Sequence, residues 1–199
     1  MDFQDLRQQL GGMDIYLLDQ IVKGRYSKND AILDAGCGSG RNLHWLYGNG
    51  YDIWAVDRDK SSVEQIKGSY NRMDSQVSQA ELDNLPFKDN KFDHIICSAV
   101  LHFAKSIDHF LEMFSELVRV LKPGDSIFFR MASDIGLESR LEPRGEGRFG
   151  LPDGSDRFLL TKELLHEVMK TWDLKFLEPL KTTNVNDLRC MSTLVLQKS

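Results

Sequence analysis

No stretch of this 199-residue chain is apolar for long enough to cross a bilayer, and the opening Met1-Asp-Phe-Gln-Asp lacks the basic-then-apolar order of a secretory leader. Membrane-embedded and exported classes are therefore not expected. Basic residues are in deficit: 25 Lys and Arg stand against 30 Asp and Glu, a net charge of −5. That balance argues against a primary role on nucleic acid, whose binding displaces counterions with a positive surface. Cysteines are few. Cys37, Cys97 and Cys190 are odd in number, widely spaced and set among apolar residues or glycines, a pattern of reduced thiols in a cytoplasmic protein rather than of disulfides. No His and Cys spacing suits a metal, no internal repeat recurs, and no segment is of low complexity. What remains is an ordinary globular composition, 41% apolar and 28% charged, of a length suited to one α/β domain.

The most informative stretch runs from Asp30 to Asn42. Ala31, Ile32 and Leu33 form a short apolar run of the kind a strand buried on both faces needs, and the run ends at Asp34. Gly36, Gly38 and Gly40 follow at alternate positions, where the chain can turn sharply and present main-chain N–H groups to a ligand. Asn42, Leu43, Leu46 and Tyr47 then begin a helical pattern. A dinucleotide site needs Gly-x-Gly-x-x-Gly, but the position of the third glycine is Arg41 here. The carboxylate just before the glycines would repel a pyrophosphate and welcome a cationic amino-acid moiety. A second buried strand, Asp52 to Asp57, ends in another acid 23 positions after Asp34. In a βαβ unit such an acid sits beside the first loop and can accept both hydroxyls of a ribose.

Asp34-Ala-Gly-Cys-Gly-Ser-Gly40 resembles motif I of the class I S-adenosylmethionine-dependent methyltransferases. Further passages carry the same resemblance: Glu81-Leu-Asp-Asn-Leu-Pro-Phe87, the Phe92-Asp93 strand, and the Leu121-Lys-Pro-Gly124 turn before Ser126-Ile-Phe-Phe-Arg-Met131. It implies a doubly wound, mostly parallel seven-stranded Rossmann-like α/β sheet with helices on both faces and a C-terminal antiparallel hairpin. It also implies S-adenosyl-L-methionine as cofactor. Asp34, Gly36, Gly38 and Gly40 would hold the amino-acid end, Asp57 the ribose, and Glu81 and Leu82 the adenine, with Arg58 by its plane. Asn42 and Ser98 complete the expected cofactor set. Compact members of type 11, 12 or 25 and tellurite-resistance-like members share this plan. The Asn-Pro-Pro-Tyr passage of enzymes that methylate adenine or amide nitrogens is missing after the fourth strand, where Ser98-Ala-Val-Leu-His-Phe103 stands instead. Cys37 in the glycine loop and Cys97 in a strand argue against arsenite methylation by a cysteine trio.

The remaining segments are assigned by pattern. Met1 to Gly12 reads as a polar lead-in, and a helix follows from an Asp14 cap with Ile15, Leu18 and Val22 on one face. Tyr16 lies off that stripe, where it could reach the cofactor carboxylate. Ser61-Ser-Val-Glu64 has capping-box spacing, and Ile107 to Leu121 carries an unbroken apolar stripe. Ser133 to Arg157, with five glycines, two prolines and four arginines, reads as a long loop overhanging the crevice, where Arg130 or Arg157 could clamp an anionic acceptor. Thr161 caps a helix through Lys170, and Trp172 to Pro179 with Cys190 to Gln197 reads as the final hairpin.

These readings divide a single methyltransferase domain, 1–199, into an N-terminal helical cap (1–29), a cofactor-binding core (30–131), a substrate-side loop (132–160) and a C-terminal helix and hairpin (161–199). The expected reaction is methyl transfer to a small-molecule acceptor by in-line displacement, in a monomer or homodimer. His102 is the candidate catalytic base or loop-orienting residue. A protein or RNA acceptor, a non-catalytic S-adenosylmethionine-binding protein and a nicotinamide oxidoreductase are the alternatives.

Overall fold

In the computed structural model, which describes residues 2–199, the chain begins with α1 (Phe3–Leu10) and α2 (Ile15–Val22). It then alternates through β1 (Ala31–Ala35), α3 (Leu43–Gly48), β2 (Asp52–Asp57), α4 (Lys60–Ser69), β3 (Val77–Gln79), β4 (Phe92–Ser98), α5 (Ile107–Val120) and β5 (Leu121–Ser133). Three short strands follow, β6 (Glu142–Gly145), β7 (Arg148–Gly150) and β8 (Asp156–Phe158). The chain closes with α6 (Lys162–Thr171), β9 (Leu174–Phe176), β10 (Lys181–Val185) and β11 (Arg189–Lys198).

The main sheet has the order β10-β11-β5-β4-β1-β2-β3, with β9 paired to the end of β11. Strands β1 to β5 are mutually parallel, while β11 runs antiparallel to both β5 and β10. Alternation along each strand sends side chains to opposite faces, and in the centre both faces are apolar. Ile32, Ile96, Phe128 and Val195 face one buried cluster with residues of α2, α3 and α4. Leu33, Ile95, Phe129 and Leu194 face the other, under α5 and α6. The expected mostly parallel sheet with helices on both faces is what the chain forms. No helix among the described residues is long and apolar enough to cross a membrane.

Five local expectations are overturned. The N-terminal lead-in is a helix, α1, because Asp2 and Asp5 form a capping box: Asp5 N–H donates to Asp2 at 2.8 Å and Asp2 N–H to Asp5 at 3.2 Å. In α2 the buried residues are Leu17 and Gln20, while Ile15 and Val22 are 70% and 79% exposed. Asp14 caps the helix, and of the expected stripe only Leu18 packs against the core. Asp59 rather than Ser61 caps α4, accepting from Ser61 and Ser62 N–H. The long loop after β5 contains a three-stranded antiparallel sheet, β6-β7-β8. Finally, the hairpin partner of β11 is Lys181–Val185, inside the supposed polar connector, and the expected strand from Trp172 shrinks to β9. Strand β10 is half-buried to exposed, so its side chains carry no apolar run to betray it.

The small sheet is held to the core by Leu151 and Phe149 against β5 and β11, by Arg148 donating to the Ala104 carbonyl, and by a buried ring. Phe158, fully buried at the end of β8, stacks on Phe110 of α5 with centroids 5.0 Å apart and planes 15° from parallel. A side chain at Gly147 would overlap that ring, which holds this turn of the sheet to glycine. Phe158→Ala should lower the free energy of unfolding by about 3–5 kcal/mol, measured by chemical denaturation. A loss under about 1 kcal/mol would mean that the other contacts hold the small sheet without it.

Candidate active site

The site sits at the carboxyl ends of the parallel strands, where an open α/β sheet offers a crevice. The chain leaving β1 is drawn toward β2, with Gly36 and Cys37 N–H both donating to the Val56 carbonyl, at 2.8 and 3.0 Å. Gly36 has a φ of 80°, and a Cβ there would collide with the Val100 side chain, so two conditions demand glycine. Asp57, at the tip of β2, accepts from Gly38 N–H at 2.8 Å through one oxygen and from Asp59 N–H at 2.9 Å through the other. Its carboxylate thus sets the loop while keeping lone pairs free.

A cavity of about 260 Å³ lies against this loop. Gly36, Gly38, Asp57, Arg58, Glu81 and Leu82, all expected from the sequence, line it. Ala99, Val100, Phe103, His109 and Met113 also line it and were not foreseen. Met113 sits on α5, off the stripe that gave the helix away, and Phe103 adjoins a histidine already singled out. Val100 had no signal except its closeness to Gly36, which is visible only in three dimensions.

The other expected residues take different places. Gly40, with φ of 84°, packs against Tyr70, Ile66 and Leu43. Asn42 accepts from Asp14 N–H at 3.1 Å, fastening the start of α2 to the glycine loop. Ser98 donates to Asp14 at 2.9 Å and accepts from Arg41 at 3.0 Å. Tyr16 does not line the cavity: its hydroxyl pairs with Thr183, and its ring lies 5.3 Å from the Arg130 guanidinium.

Asp34 is the least comfortable group in the molecule. It is 1% exposed, and neither carboxylate oxygen has a hydrogen-bond partner. Burial pushes its pKa up to about 7, with Arg41 opposing and Asp57 adding to the rise. An unpartnered buried carboxylate behind a glycine loop suits a ligand that brings a cation, as the ammonium of S-adenosylmethionine would.

A second cavity, also of about 260 Å³, meets the first at Ala99. Ala99 is itself unusual, a non-glycine residue with φ of 64° at the tip of β4, held by its N–H bond to the Arg130 carbonyl at 2.7 Å. His102, Arg41, Arg130, Arg157 and Arg189 line this cavity, with Leu151 and Ser155 from the small-sheet segment. His102 is buried, and its pKa is lowered to about 4, first by burial and then by Arg157, Arg130 and Arg189. Ala132 N–H points at its Nδ1 across 3.4 Å. The imidazole is neutral at pH 7, with Nε2 left to carry the proton.

Residues 33–129 match the family model described as "Methyltransferase domain". Over this core the chain is similar to the class I S-adenosylmethionine-dependent methyltransferases. A methyltransferase of uncharacterised role from Bacillus subtilis is 31% identical over 61% of this chain and 48% of its own length. A ubiquinone biosynthesis O-methyltransferase from Rickettsia prowazekii is 31% identical over 54% of this chain and 42% of its own. The chain thus spans about half the length of these curated methyltransferases. Among solved structures, an S-adenosylmethionine-dependent methyltransferase from Methanosarcina mazei superposes with a TM-score of 0.73 at 19% identity, over 89% of this chain and 96% of that one. At that identity the likeness speaks for the fold. The cofactor of this methyltransferase family is S-adenosylmethionine, and the orphaned Asp34, the glycine cradle and Asp57 fit it.

The strain at Asp34 gives a pH signature. Its folded pKa of about 7 stands above the ordinary carboxylate value of 3.8, so its stabilising contribution is full below about pH 4 and lost as pH rises through 7. The cofactor-free methyltransferase should therefore lose on the order of 3 kcal/mol of stability from this group between pH 4 and 8. Asp34→Asn should flatten that slope in urea titrations and raise stability at pH 8 while weakening cofactor binding. Identical slopes in both proteins would show that Asp34 is compensated in solution.

Proposed function

We propose that this protein transfers the methyl group of S-adenosylmethionine to a small-molecule acceptor by in-line displacement. The observation that carries the reading is the pair of small cavities meeting at Ala99, one against the glycine loop and one beyond the tip of β4. The bound cofactor would supply a methyl group already activated on a sulfonium. The protein's part is placement and exclusion of water.

Asp34 and the loop of Gly36, Gly38 and Gly40 would take the amino-acid end, and Asp57 would accept from the ribose hydroxyls with its free lone pairs. Glu81 and the Leu82 N–H would meet the adenine, with Arg58 beside it. Asn42 and Ser98 would act one step back, by holding Asp14 and hence the first turn of α2 against the loop. His102, neutral and facing the second cavity, would offer Nε2–H to an acceptor atom and so position it. The size of the second cavity and its cover by residues 151–157 support a small acceptor over a protein or RNA. The Rickettsia relative, named for O-methyl transfer in ubiquinone biosynthesis, supports the same class. Three buried, unpaired thiols support a reducing, cytoplasmic setting.

The direct test is transfer of labelled methyl to a panel of metabolites; a protein that binds S-adenosylhomocysteine yet labels none would be a sensor rather than an enzyme. Asp57→Ala should weaken S-adenosylhomocysteine by about 1–3 kcal/mol in calorimetry, since two hydroxyls lose their acceptor. Unchanged affinity would remove Asp57 from the site. His102→Gln, which keeps a donor, should retain much of the turnover that His102→Ala loses, with flat rates from pH 6 to 8. Equal loss in both variants, with a rate rising through a pKa near 6, would make His102 a general base instead.

A further inference from the structure

We propose that the acceptor is an anionic metabolite, anchored through a carboxylate or phosphate by Arg130 and Arg157 in the second cavity. This rests on the reading of the first cavity as the cofactor site and names the substrate class of its neighbour.

Four guanidinium groups line the second cavity, from α3's approach (Arg41), β5 (Arg130), β8 (Arg157) and β11 (Arg189), and no carboxylate lines it. The acids near it do not balance them. Asp14 lies 3.7 Å from Arg41 and 3.6 Å from Arg130 through the same oxygen, and that oxygen already accepts from Ser98. Asp153 lies 3.5 Å from Arg189. All three separations exceed the roughly 2.7–2.9 Å of a formed charge-assisted hydrogen bond. Four positive groups thus share Asp14 and Asp153 at the cavity, with the buried Asp34 behind Arg41, and positive charge is in excess in a concave place.

Two of the four are visibly unfinished. Arg130 has a buried Nε with no hydrogen-bond partner, which costs free energy unless something outside the chain accepts from it. Arg157 is in no ion pair among the described residues; it donates to the Asp156 carbonyl at 2.8 Å and lies 5.2 Å from the centre of the Phe103 ring. Phe103 lines the first cavity, so that guanidinium stands at the boundary between the two. A planar guanidinium with no competing ion pair can take a two-oxygen anion through both of its N–H edges.

The surroundings discriminate among anions. The chain as a whole carries −5, so the cluster is a local feature and not part of a basic surface of the kind a nucleic acid needs. The cavity, at about 260 Å³, admits a metabolite and not a polymer. Oxygens whose lone pairs are taken by guanidinium groups are poor nucleophiles, so the anion serves as the handle. The methylated atom is another group of the same molecule, turned toward Ala99, with His102 beside it.

The test is calorimetry on protein saturated with S-adenosylhomocysteine. Succinate, glycerol 3-phosphate and inorganic phosphate are the probes, and uncharged succinamide is the control. At least one anion should bind with a dissociation constant below about 5 mM at 0.15 M salt, as suits a fragment-sized ligand. Succinate alone would assign a carboxylate handle, and the phosphates alone a phosphate handle. Arg157→Gln, which breaks no ion pair, should weaken that anion at least tenfold while leaving S-adenosylhomocysteine affinity unchanged, and Arg130→Gln should do the same if it folds. No anion binding to the loaded wild type, equal binding by succinamide, or undiminished binding in Arg157→Gln would overturn the proposal. Failure of S-adenosylhomocysteine itself to bind would instead strike the cofactor reading, and is measured first.

Discussion

The Val56 carbonyl takes two N–H groups at once, from Gly36 and Cys37, and the arrangement of both cavities follows from that shared acceptor. It swings the chain off β1 toward β2 and brings Gly38 onto the Asp57 carboxylate. It also brings Gly36 so close to Val100 that no side chain fits between them. Those three contacts tie the tips of β1, β2 and β4 into one rigid rim. Side chains on a rim of this kind are pre-positioned, which is what the proposed displacement would need from the protein.

Asp14 has a similar unifying part on the other side. Its carboxylate meets the α2 cap, Ser98, Arg41 and Arg130, and its N–H meets Asn42. The N-terminal helices are thereby bound to the same strand tips as the cavities. The price is a concentration of charge in a small volume: Asp34 is stranded on one side of Ala99, and four guanidiniums crowd on the other. Neither group is satisfied by the chain alone. Such local conflict marks places where a ligand completes the structure.

Much of this was legible in the residue order, because strand alternation, glycine spacing and strand-end acids are local signals. Gly36, Gly38, Asp57, Arg58, Glu81 and Leu82, which line the first cavity, were picked out that way, and so was the sheet, whereas Asp34 lies buried behind the loop and lines neither cavity. What escaped was set by distant contacts. The buried face of α2 did not follow its apolar stripe, and its cap Asp14 meets Asn42, 28 positions away. Strand β10 exists because β11 offers it a ladder. The small sheet hid among glycines and charges because its strands are short and little buried. Of the arginines of the second cavity, Arg130 and Arg157 were named from the place of the loop after β5, while Arg41 and Arg189 come from positions that no window of sequence joins to them.

The small sheet contributes Leu151, Ser155 and Arg157 to the second cavity and nothing to the first, and Phe158 is its deepest anchor in the core. A graft that kept Phe158 and Gly147 but recast residues 148–157 would redraw acceptor preference and leave the nucleoside side of the molecule untouched. A fixed core with an exchangeable front end is a route by which one scaffold serves many metabolites.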